Sequence, residues 1–143
     1  MPDIYHNFSI NAPIERVFLG ISTSEGIDRW WSKASLGMPQ RYAVYKLSFG
    51  PGYDWTAKVS KFTENQVFEL TMTESDKDWQ GTKVGFILSP GKEITEVQFY
   101  HTGWPHANEH YKSSCYCWAM YLRILKRYLE LGEKVPYEKR LDQ

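Results

Sequence analysis

The longest helical pattern in the chain lies in HANEHYKSSCYCWAMYLRILKRYLELG, residues 106–132. Apolar side chains recur there every three or four residues, which places them along one face of a helix. Pro105 precedes the pattern, and Gly132 and Pro136 follow it, as proline and glycine do at helix ends. The apolar positions are Tyr111, Cys115, Trp118, Leu122, Leu125 and Leu129. This pattern predicts one long C-terminal helix of about 25 residues.

Upstream of this helix, short segments alternate between apolar and polar residues, which is the pattern of β-strands. The predicted strands are residues 4–10, 42–49, 53–62, 67–73, 82–88 and 94–101. The connections between the last five strands are short, which favours antiparallel neighbours. A six-stranded sheet must cover its apolar face, and the long helix is the predicted element large enough to do so. We therefore predict an α+β fold in which a curved antiparallel sheet wraps around the C-terminal helix.

Two short helices are predicted between the first two strands. Residues 14–21 carry apolar side chains at helical spacing. A second helix is expected to start at a capping box formed by Ser22 and Glu25 and to end near Trp30–Trp31. Residues 32–40 show little periodicity and are predicted to form a loop. The two helices would close one end of the sheet.

The length of 143 residues predicts a single domain. We expect an ordered core at about residues 4–132 and a C-terminal tail at residues 133–143. The chain is 42% hydrophobic and 16% aromatic, which is enough apolar matter for one core and argues against disorder. Lys plus Arg equals Asp plus Glu, at 17 each, so the basic surplus that favours nucleic-acid binding is absent.

The sequence predicts a cytoplasmic protein. Its longest apolar runs fall short of the ~18 residues of a membrane span, and its start has no signal-peptide pattern. Cys115 and Cys117 fall two positions apart in the predicted helix, so their side chains should point in different directions and stay unbonded. His106 and His110 have the spacing of a metal-binding pair, but no third ligand is evident nearby, so no metal site is predicted.

Several segments together resemble a known family. Residues 10–18, INAPIERVF, resemble its opening I-x-A-P-x-E-x-V-[WF], and Trp30–Trp31 resembles the aromatic pair that follows. Residues 79–86 and 95–104 are similar to its last hairpin, and residues 115–132 are similar to its terminal helix. This is the family named for the C-terminal domain of the activator of the heat-shock-protein-90 ATPase, within the START-related, helix-grip (SRPBCC) superfamily. The resemblance extends over most of the chain.

The resemblance implies a helix-grip domain with a deep cavity, on a scaffold similar to ones that carry lipids, hormones and polyketides. The co-chaperone that gives the family its name resembles the chain only in its C-terminal domain. The family name nevertheless implies an alternative, in which the protein binds a chaperone and takes part in the stress response. Fold likeness alone does not supply an activity.

A bent sheet and a single helix are not expected to fill all the space between them, which predicts a ligand cavity there. His101 should point inward because it shares a strand face with Val97 and Phe99. It could be a buried, hydrogen-bonded histidine, an anchor for a ligand or a general base. The predicted ligand-binding residues are Trp30, Trp31, Tyr45, Phe49, Phe86, Phe99, His101, Trp104, Tyr111, Cys115 and Trp118.

Three functions follow from the sequence. The first is binding of a small, mostly apolar ligand, lipid-like or aromatic, by a monomer or homodimer. The second is an enzyme of the cyclase or dehydratase kind that uses a pocket His or Tyr, and the third is a chaperone-associated, partner-binding protein. Phosphate-binding, dinucleotide and nucleophile-elbow motifs are missing, so no cofactor or catalytic residue is predicted and binding is favoured over catalysis.

Overall fold

The computed structural model describes residues 2–143. Within them the strands are β1 (Ile4–Ile10), β2 (Ala34–Leu36), β3 (Val44–Ser48), β4 (Asp54–Thr63), β5 (Val67–Glu74), β6 (Lys83–Pro90) and β7 (Thr95–Thr102). The helices are α1 (Ile14–Ser22), α2 (Ser24–Ile27), α3 (Glu109–Leu131) and a C-terminal 3₁₀ helix at Tyr137–Asp142. The predicted order of strand, two short helices, successive strands and one long helix is confirmed.

The strands form one antiparallel sheet in the order β1-β7-β6-β5-β4-β3-β2. Strands β2 to β7 follow one another as a meander, and β1 returns to pair with β7. Register shifts between β4 and β5 occur at Thr56/Ala57 and at Val59/Lys61. Such irregularities bend a strand and increase its twist, so they help the sheet to curve around α3. The architecture is the helix-grip fold that the sequence predicted.

The sheet has seven strands rather than the predicted six. The additional strand, β2, pairs Ala34 with Ser48 and Leu36 with Lys46. It lies within residues 32–40, which were predicted as a loop. Three residues at the edge of a sheet can be held by backbone hydrogen bonds alone, and Ala34 and Leu36 are both exposed. A search for buried, alternating side chains therefore misses this strand.

The second short helix begins one residue later than predicted. Thr23 is its N-cap, and its side chain accepts a hydrogen bond from the backbone N–H of Gly26 at 3.0 Å. Ser22 belongs to α1 instead, because its buried hydroxyl donates to the carbonyl of Phe18 at 2.6 Å. Helix α2 ends at Ile27, and the chain then turns through the buried pair Trp30–Trp31.

Helix α3 begins at Glu109 rather than near Pro105. The side chain of Asn108 accepts a hydrogen bond from the backbone N–H of Tyr111 at 3.0 Å and so caps the helix. Gly132 ends the helix with a φ of 70°, in the left-handed region that glycine adopts at little cost, as predicted. The buried face of the helix comprises Ser114, Trp118, Leu122, Ile124, Leu125 and Leu129.

The C-terminal residues, which the sequence suggested to be a tail, fold back onto the body of the protein. Arg140 is only 5% exposed. Its guanidinium donates to the carbonyls of Asp28 at 2.6 Å, Ser32 at 3.1 Å and Val135 at 3.2 Å. Because these partners are backbone carbonyls, the sequence pattern gave no sign of them. The 3₁₀ helix is thereby fixed beside the turn that follows α2.

Candidate ligand-binding cleft

Aromatic rings fill the space between the sheet and α3 where the cavity was predicted. The ring centroids of Phe99 and Trp118 are 4.6 Å apart, and those of Phe86 and Phe99 are 5.2 Å apart. Trp30 packs on Phe86 at 5.7 Å, close to a right angle. These distances are those of rings in direct contact. Bulky side chains therefore fill the centre of the space between the sheet and α3, and open space remains only toward one end of it.

That open space is a cleft of about 270 Å³ beside the N-terminal half of α3. Its lining consists of Trp31, Phe49, Tyr53, Trp55, Asp76, Trp79, His110, Ser113, Ser114, Cys117, Trp118, Tyr121 and Tyr137. The volume is just below the roughly 300–1,000 Å³ of pockets for drug-sized ligands. It exceeds the roughly 150 Å³ that suffices for benzene in an engineered cavity. The cleft can therefore admit a molecule of one or two rings.

Four rings form a closed loop along one wall of the cleft. Trp31 contacts Phe49 at 5.4 Å, Phe49 contacts Trp55 at 5.0 Å, and Trp55 contacts Trp79 at 5.0 Å. Trp79 stacks back on Trp31 at 6.4 Å. The rings come from the turn after α2, from the end of β3, from β4 and from the loop between β5 and β6. Parts of the chain that are far apart in sequence thus build one apolar wall.

All six tryptophans of the protein belong to one connected network. Trp118 joins three of the others, with ring centroids 5.2 Å from Trp31, 5.7 Å from Trp79 and 6.5 Å from Trp30. Trp104 joins through Trp79 at 6.0 Å, and Trp55 joins through the same residue. Because each ring touches the next, the wall of the cleft and the core of the protein are one packed unit.

His101 holds two of these tryptophans in place. Its Nδ1 accepts a hydrogen bond from the indole N–H of Trp118 at 3.0 Å. Its Nε2 lies 2.8 Å from the Thr82 hydroxyl, which itself donates to the carbonyl of Trp79 at 2.5 Å. The imidazole must therefore be neutral with its proton on Nε2. Burial, with a smaller effect from His110, lowers the pKa of His101 to about 3.

This arrangement decides among the roles considered for His101. The side chain is fully buried, both ring nitrogens are engaged, and it does not line the cleft. A general base needs a free lone pair within reach of the proton that it removes. His101 is therefore a structural residue that orients Trp118 and, through Thr82, the carbonyl of Trp79.

Two indole N–H groups, those of Trp79 and Trp104, are buried without a hydrogen-bond partner among the described residues. Both rings meet aromatic neighbours nearly edge to face. Trp79 lies 4.5 Å from the His101 ring, and Trp104 lies 5.5 Å from each of His110 and Tyr111. Both indoles are therefore held by packing against rings rather than by hydrogen bonds from their N–H groups.

The polar rim of the cleft contains a histidine–aspartate pair. His110 Nδ1 lies 3.0 Å from Asp78 Oδ2, and the side-chain amide of Asn108 donates to the same oxygen at 3.4 Å. The hydrogen bond from His110 is the main cause that lowers the pKa of Asp78 below its usual value. From the sequence, His110 was considered only beside His106 as a possible metal-binding pair, and the structure pairs it with Asp78 instead.

Two other ionisable side chains of the cleft remain protonated at neutral pH. Burial raises the pKa of the Tyr121 phenol to about 12, so it can donate a hydrogen bond. Burial also raises the pKa of the Cys117 thiol, and a protonated thiol is a poor nucleophile. The cleft thus provides aromatic walls, a phenol donor and an imidazole paired with a carboxylate.

Only part of the predicted ligand-binding set lines this cleft. Trp31, Phe49 and Trp118 do so. The buried predicted residues that lie elsewhere in the core are Trp30, Tyr45, Phe86, Phe99, His101 and Trp104. Tyr111 and Cys115 are half-buried: the Tyr111 hydroxyl donates to the Asp3 carbonyl at 2.7 Å, and the Cys115 thiol lies 4.0 Å from His6 Nε2.

Sequence reasoning missed several lining residues for identifiable reasons. Trp79 stands in a polar loop, and a tryptophan in such surroundings is a signal that could have been used. Cys117 and Tyr121 lie beside the apolar face predicted for the helix rather than on it, and they border the cleft. Tyr137 lies in the segment predicted as a tail, and the Asp78 partner of His110 is 32 positions away along the chain. No local sequence pattern reveals that Tyr137 reaches the cleft or that Asp78 pairs with His110.

Larger surface grooves also exist, of about 440 Å³ between β1 and α3 and about 560 Å³ at the edge formed by β2 and β3. Each of these grooves is lined by a mixture of polar and apolar residues, whereas most of the side chains in the cleft are aromatic. Ligand sites combine apolar walls with a few converging polar groups, so we assign the candidate site to the cleft. Residues 2–143 contain no cluster of three or more His, Cys, Asp and Glu side chains placed to hold a metal ion.

Solved structures similar to this chain share its whole architecture. The Aha1 dimer from Colwellia psychrerythraea, solved in solution, superposes with a TM-score of 0.84 at 26% identity over 93% of this chain and 99% of that one. Protein BH1534 from Bacillus halodurans has a TM-score of 0.75 at 23% identity over 91% and 98%. CalU16 from Micromonospora echinospora has a TM-score of 0.75 at 15% identity over 96% and 83%. No curated protein matches the chain.

A curved antiparallel sheet that holds a long terminal helix, with an aromatic cleft at its open end, defines a protein of the helix-grip class. Residues 11–130 match the family described as Activator of Hsp90 ATPase homolog 1-like protein. The match covers well over half of the 143 residues. The chain belongs to this family, as its sequence motifs suggested.

None of the described helices is long and apolar enough to cross a bilayer.

Proposed function

We propose that the protein binds a small, mostly apolar aromatic molecule in the cleft beside α3. The observation that carries this proposal is the closed loop of four rings formed by Trp31, Phe49, Trp55 and Trp79. Flat aromatic walls bury a planar ligand well, and ring–ring contacts contribute about 0.5–1.5 kcal/mol beyond the area buried. The ligand is smaller than the lipid-like cargo that a deep cavity would hold, because rings fill the centre of the grip.

The C-terminal 3₁₀ helix supports the same proposal. Tyr137 lines the cleft, and its hydroxyl donates to the carbonyl of Phe49 at 2.8 Å. The helix is in turn fixed by the buried Arg140. A cleft built from pre-ordered side chains loses little conformational entropy when a ligand enters, which favours binding.

Filling the cleft tests this proposal. Ser113 and Lys112 are both exposed, but only Ser113 lines the cleft. We expect Ser113→Phe to occupy the space and abolish binding of 2-naphthol and indan-2-one, measured by isothermal titration calorimetry. Lys112→Phe adds the same ring one position away and should leave the affinity unchanged. Equal affinity in the two variants, or no binding to the unmodified protein, would refute the assignment of the site.

The natural ligand can be sought directly. Native mass spectrometry of the protein purified from its own cells should reveal a co-purifying small molecule. The same adduct should be missing from Ser113→Phe and present in Lys112→Phe. An adduct retained in both variants would place the ligand elsewhere in the molecule.

Partner binding is a second candidate, favoured by an exposed apolar segment at the β2–β3 edge of the sheet. Leu36 is 73% exposed, and Met38, Tyr42 and Val44 are also exposed. Exposed apolar groups at a sheet edge are suited to contact with another protein. The family name suggests heat-shock protein 90 as that partner.

An ATPase assay separates the two candidates. If the partner role is correct, adding the protein should raise the ATPase rate of heat-shock protein 90 from the same cells. The double variant Leu36→Ser, Met38→Ser should remove that effect, and Tyr116→Ser, at a different exposed position, should not. An unchanged rate with the unmodified protein would dismiss the partner role and leave the binding role untouched.

A further inference from the structure

Strand β1 lies at one edge of the sheet, with β7 as its neighbour. A groove of about 440 Å³ lies between this edge and α3. It is lined by residues 6–9 of β1 and, from α3, by Ala119, Leu122, Arg123 and Lys126. Successive side chains of a strand point to opposite faces of the sheet, yet four consecutive residues of β1 line the groove. The groove therefore borders the backbone edge of β1 as well as its side chains.

Three hydrogen bonds to α3 show which backbone groups face this edge. The Asp3 carbonyl accepts from the Tyr111 hydroxyl at 2.7 Å, and the Ser9 carbonyl accepts from Lys126 Nζ at 2.5 Å. The N–H of Asn11 donates to a carboxylate of α3 at 2.7 Å. All three residues of this segment have odd numbers. Backbone groups of alternate residues in an antiparallel pair point away from the partner strand, so the odd-numbered residues of β1 face away from β7.

Between these hydrogen bonds the backbone edge of β1 is open. By the same alternation, the N–H and C=O groups of Tyr5 and Asn7 point away from β7. Among residues 2–143, no loop or side chain forms a hydrogen bond with these groups. Unpaired backbone groups at a sheet edge are a template for a further strand. The opening from Tyr5 to Ser9 is about 14 Å long, which is the length of an extended segment of about five residues.

The side chains beside the opening are apolar and basic. Phe8 is half-buried and Leu122 is buried, and both line the groove. Arg123 is exposed and forms no ion pair within residues 2–143, whereas Lys126 is paired with Glu130 at 2.8 Å. In the part of the chain that the structure describes, no Asp or Glu lines the groove. A partner thus meets an uncompensated positive charge, which favours acidic side chains.

We propose that the edge of β1 binds an extended, acidic segment of another protein, which joins the sheet as an additional strand. Main-chain hydrogen bonds to Tyr5 and Asn7 hold the segment, as in other cases of β-strand addition. Its apolar side chains pack on Phe8 and Leu122, and its acidic side chains meet Arg123. This surface differs from both the aromatic cleft and the β2–β3 edge.

Charge argues against a second copy of the chain as the occupant. Two β1 edges paired around a two-fold axis would bring Arg123 and Lys126 of both copies to one junction. Like charges placed together across an interface weaken association. An acidic segment instead supplies the opposite charge to the same groups.

Titration of the isotope-labelled protein with the peptide TVTETVTE, followed by NMR, tests the proposal. In a strand, the valines and glutamates of this peptide share one face. We expect the amide signals of Tyr5, Asn7 and Ser9 to shift and their hydrogen exchange to slow. The peptide TVTKTVTK, which has lysine in place of glutamate, should bind about fivefold more weakly.

Three variants make this test specific. Arg123→Glu should reverse the preference, so that TVTKTVTK binds more tightly than TVTETVTE. Arg41→Glu changes an exposed arginine outside the groove and should keep the original preference. Asn7→Pro removes an N–H that faces the free edge, where proline is tolerated, and should weaken binding of TVTETVTE about tenfold. The two arginine variants, at exposed positions, decide the question if Asn7→Pro does not fold.

Shifts at β1 together with a preference that Arg123→Glu reverses support the proposal. No shift at β1 with millimolar TVTETVTE overturns it, and so does an equal affinity for both peptides. Loss of the preference in Arg41→Glu rather than in Arg123→Glu places the peptide elsewhere and also overturns it. Sedimentation of the protein alone gives a further check, because a dimer that Asn7→Pro dissociates would show that a second copy occupies the edge.

Discussion

His101 and His110 show how differently two imidazoles of one chain can be used. His101 is enclosed by rings and bonded through both nitrogens, whereas His110 lines the cleft and, among residues 2–143, forms a side-chain hydrogen bond through Nδ1 alone. Strand alternation correctly predicted that His101 points inward. It could not predict the Trp118 and Thr82 partners, because these lie on other elements and meet His101 only in the folded molecule.

The buried imidazole of His101 should make stability depend on pH. Its pKa is about 3 in the folded protein, against about 6.5 in an unfolded chain, so on acidification the unfolded state binds the proton first. The free energy of unfolding should therefore fall by up to about 1.4 kcal/mol per pH unit below about pH 6.5. Urea titrations at about pH 7.5 and about pH 5 should show a loss of about 2 kcal/mol from this residue.

The variant His101→Gln provides the comparison for that measurement. It removes the titrating group, so its free energy of unfolding should be lower at neutral pH but should change less with pH. The remaining slope reports the carboxyl groups whose pKa is lowered in the folded protein, Asp78 and Glu130. The same decline in both proteins would show that His101 does not carry the pH dependence.

Helices α1 and α2 depend on a close approach at Gly26. A Cβ at this position would lie 2.5 Å from the carbonyl oxygen of Leu19 and 2.6 Å from that of Gly20. These are backbone atoms, which cannot move aside without displacing the helix. Gly26→Ala should therefore destabilise the protein by about 3 kcal/mol, at the upper end of overpacking effects.

A matched substitution in α1 checks this reasoning. A Cβ on Gly20 would meet only the side chain of Leu129, at 3.1 Å. That leucine can adjust, so Gly20→Ala should cost clearly less than Gly26→Ala in thermal or urea unfolding. A larger loss for Gly20→Ala would mean that the core around Leu129 is less adaptable than the contact between the two helices.

The C-terminal 3₁₀ helix should detach if its arginine is removed. Arg140→Ala deletes the charged hydrogen bonds to the carbonyls of Asp28 and Ser32, each worth about 1.5–3 kcal/mol. Amide hydrogen exchange of residues 137–142 should accelerate, and ligand affinity should fall because Tyr137 leaves the cleft. Lys139→Ala, at an exposed neighbouring position, should change neither. Unaltered exchange in Arg140→Ala would show that other contacts hold the helix.

At the scale of the whole molecule, the sequence predicted the order and pairing of the main elements, but it did not predict how the space between the sheet and α3 is filled. Periodicity located α3 and the six longer strands, because each buries a regular face. It missed β2, which buries little, and the 3₁₀ helix, which is held by backbone carbonyls. It could not reveal that rings fill the grip, since whether large side chains line a cavity or occupy it depends on packing between distant segments.

The continuous tryptophan network has an optical consequence. Indole rings at such separations exchange excitation energy, so light absorbed by any of the six reaches its neighbours before it is emitted. Their coupled transitions should also produce strong near-ultraviolet circular dichroism that disappears on unfolding. Since four of these indoles border the cleft, a bound aromatic molecule would quench or shift the emission of the protein as a whole. The chain therefore carries its own unlabelled reporter of occupancy.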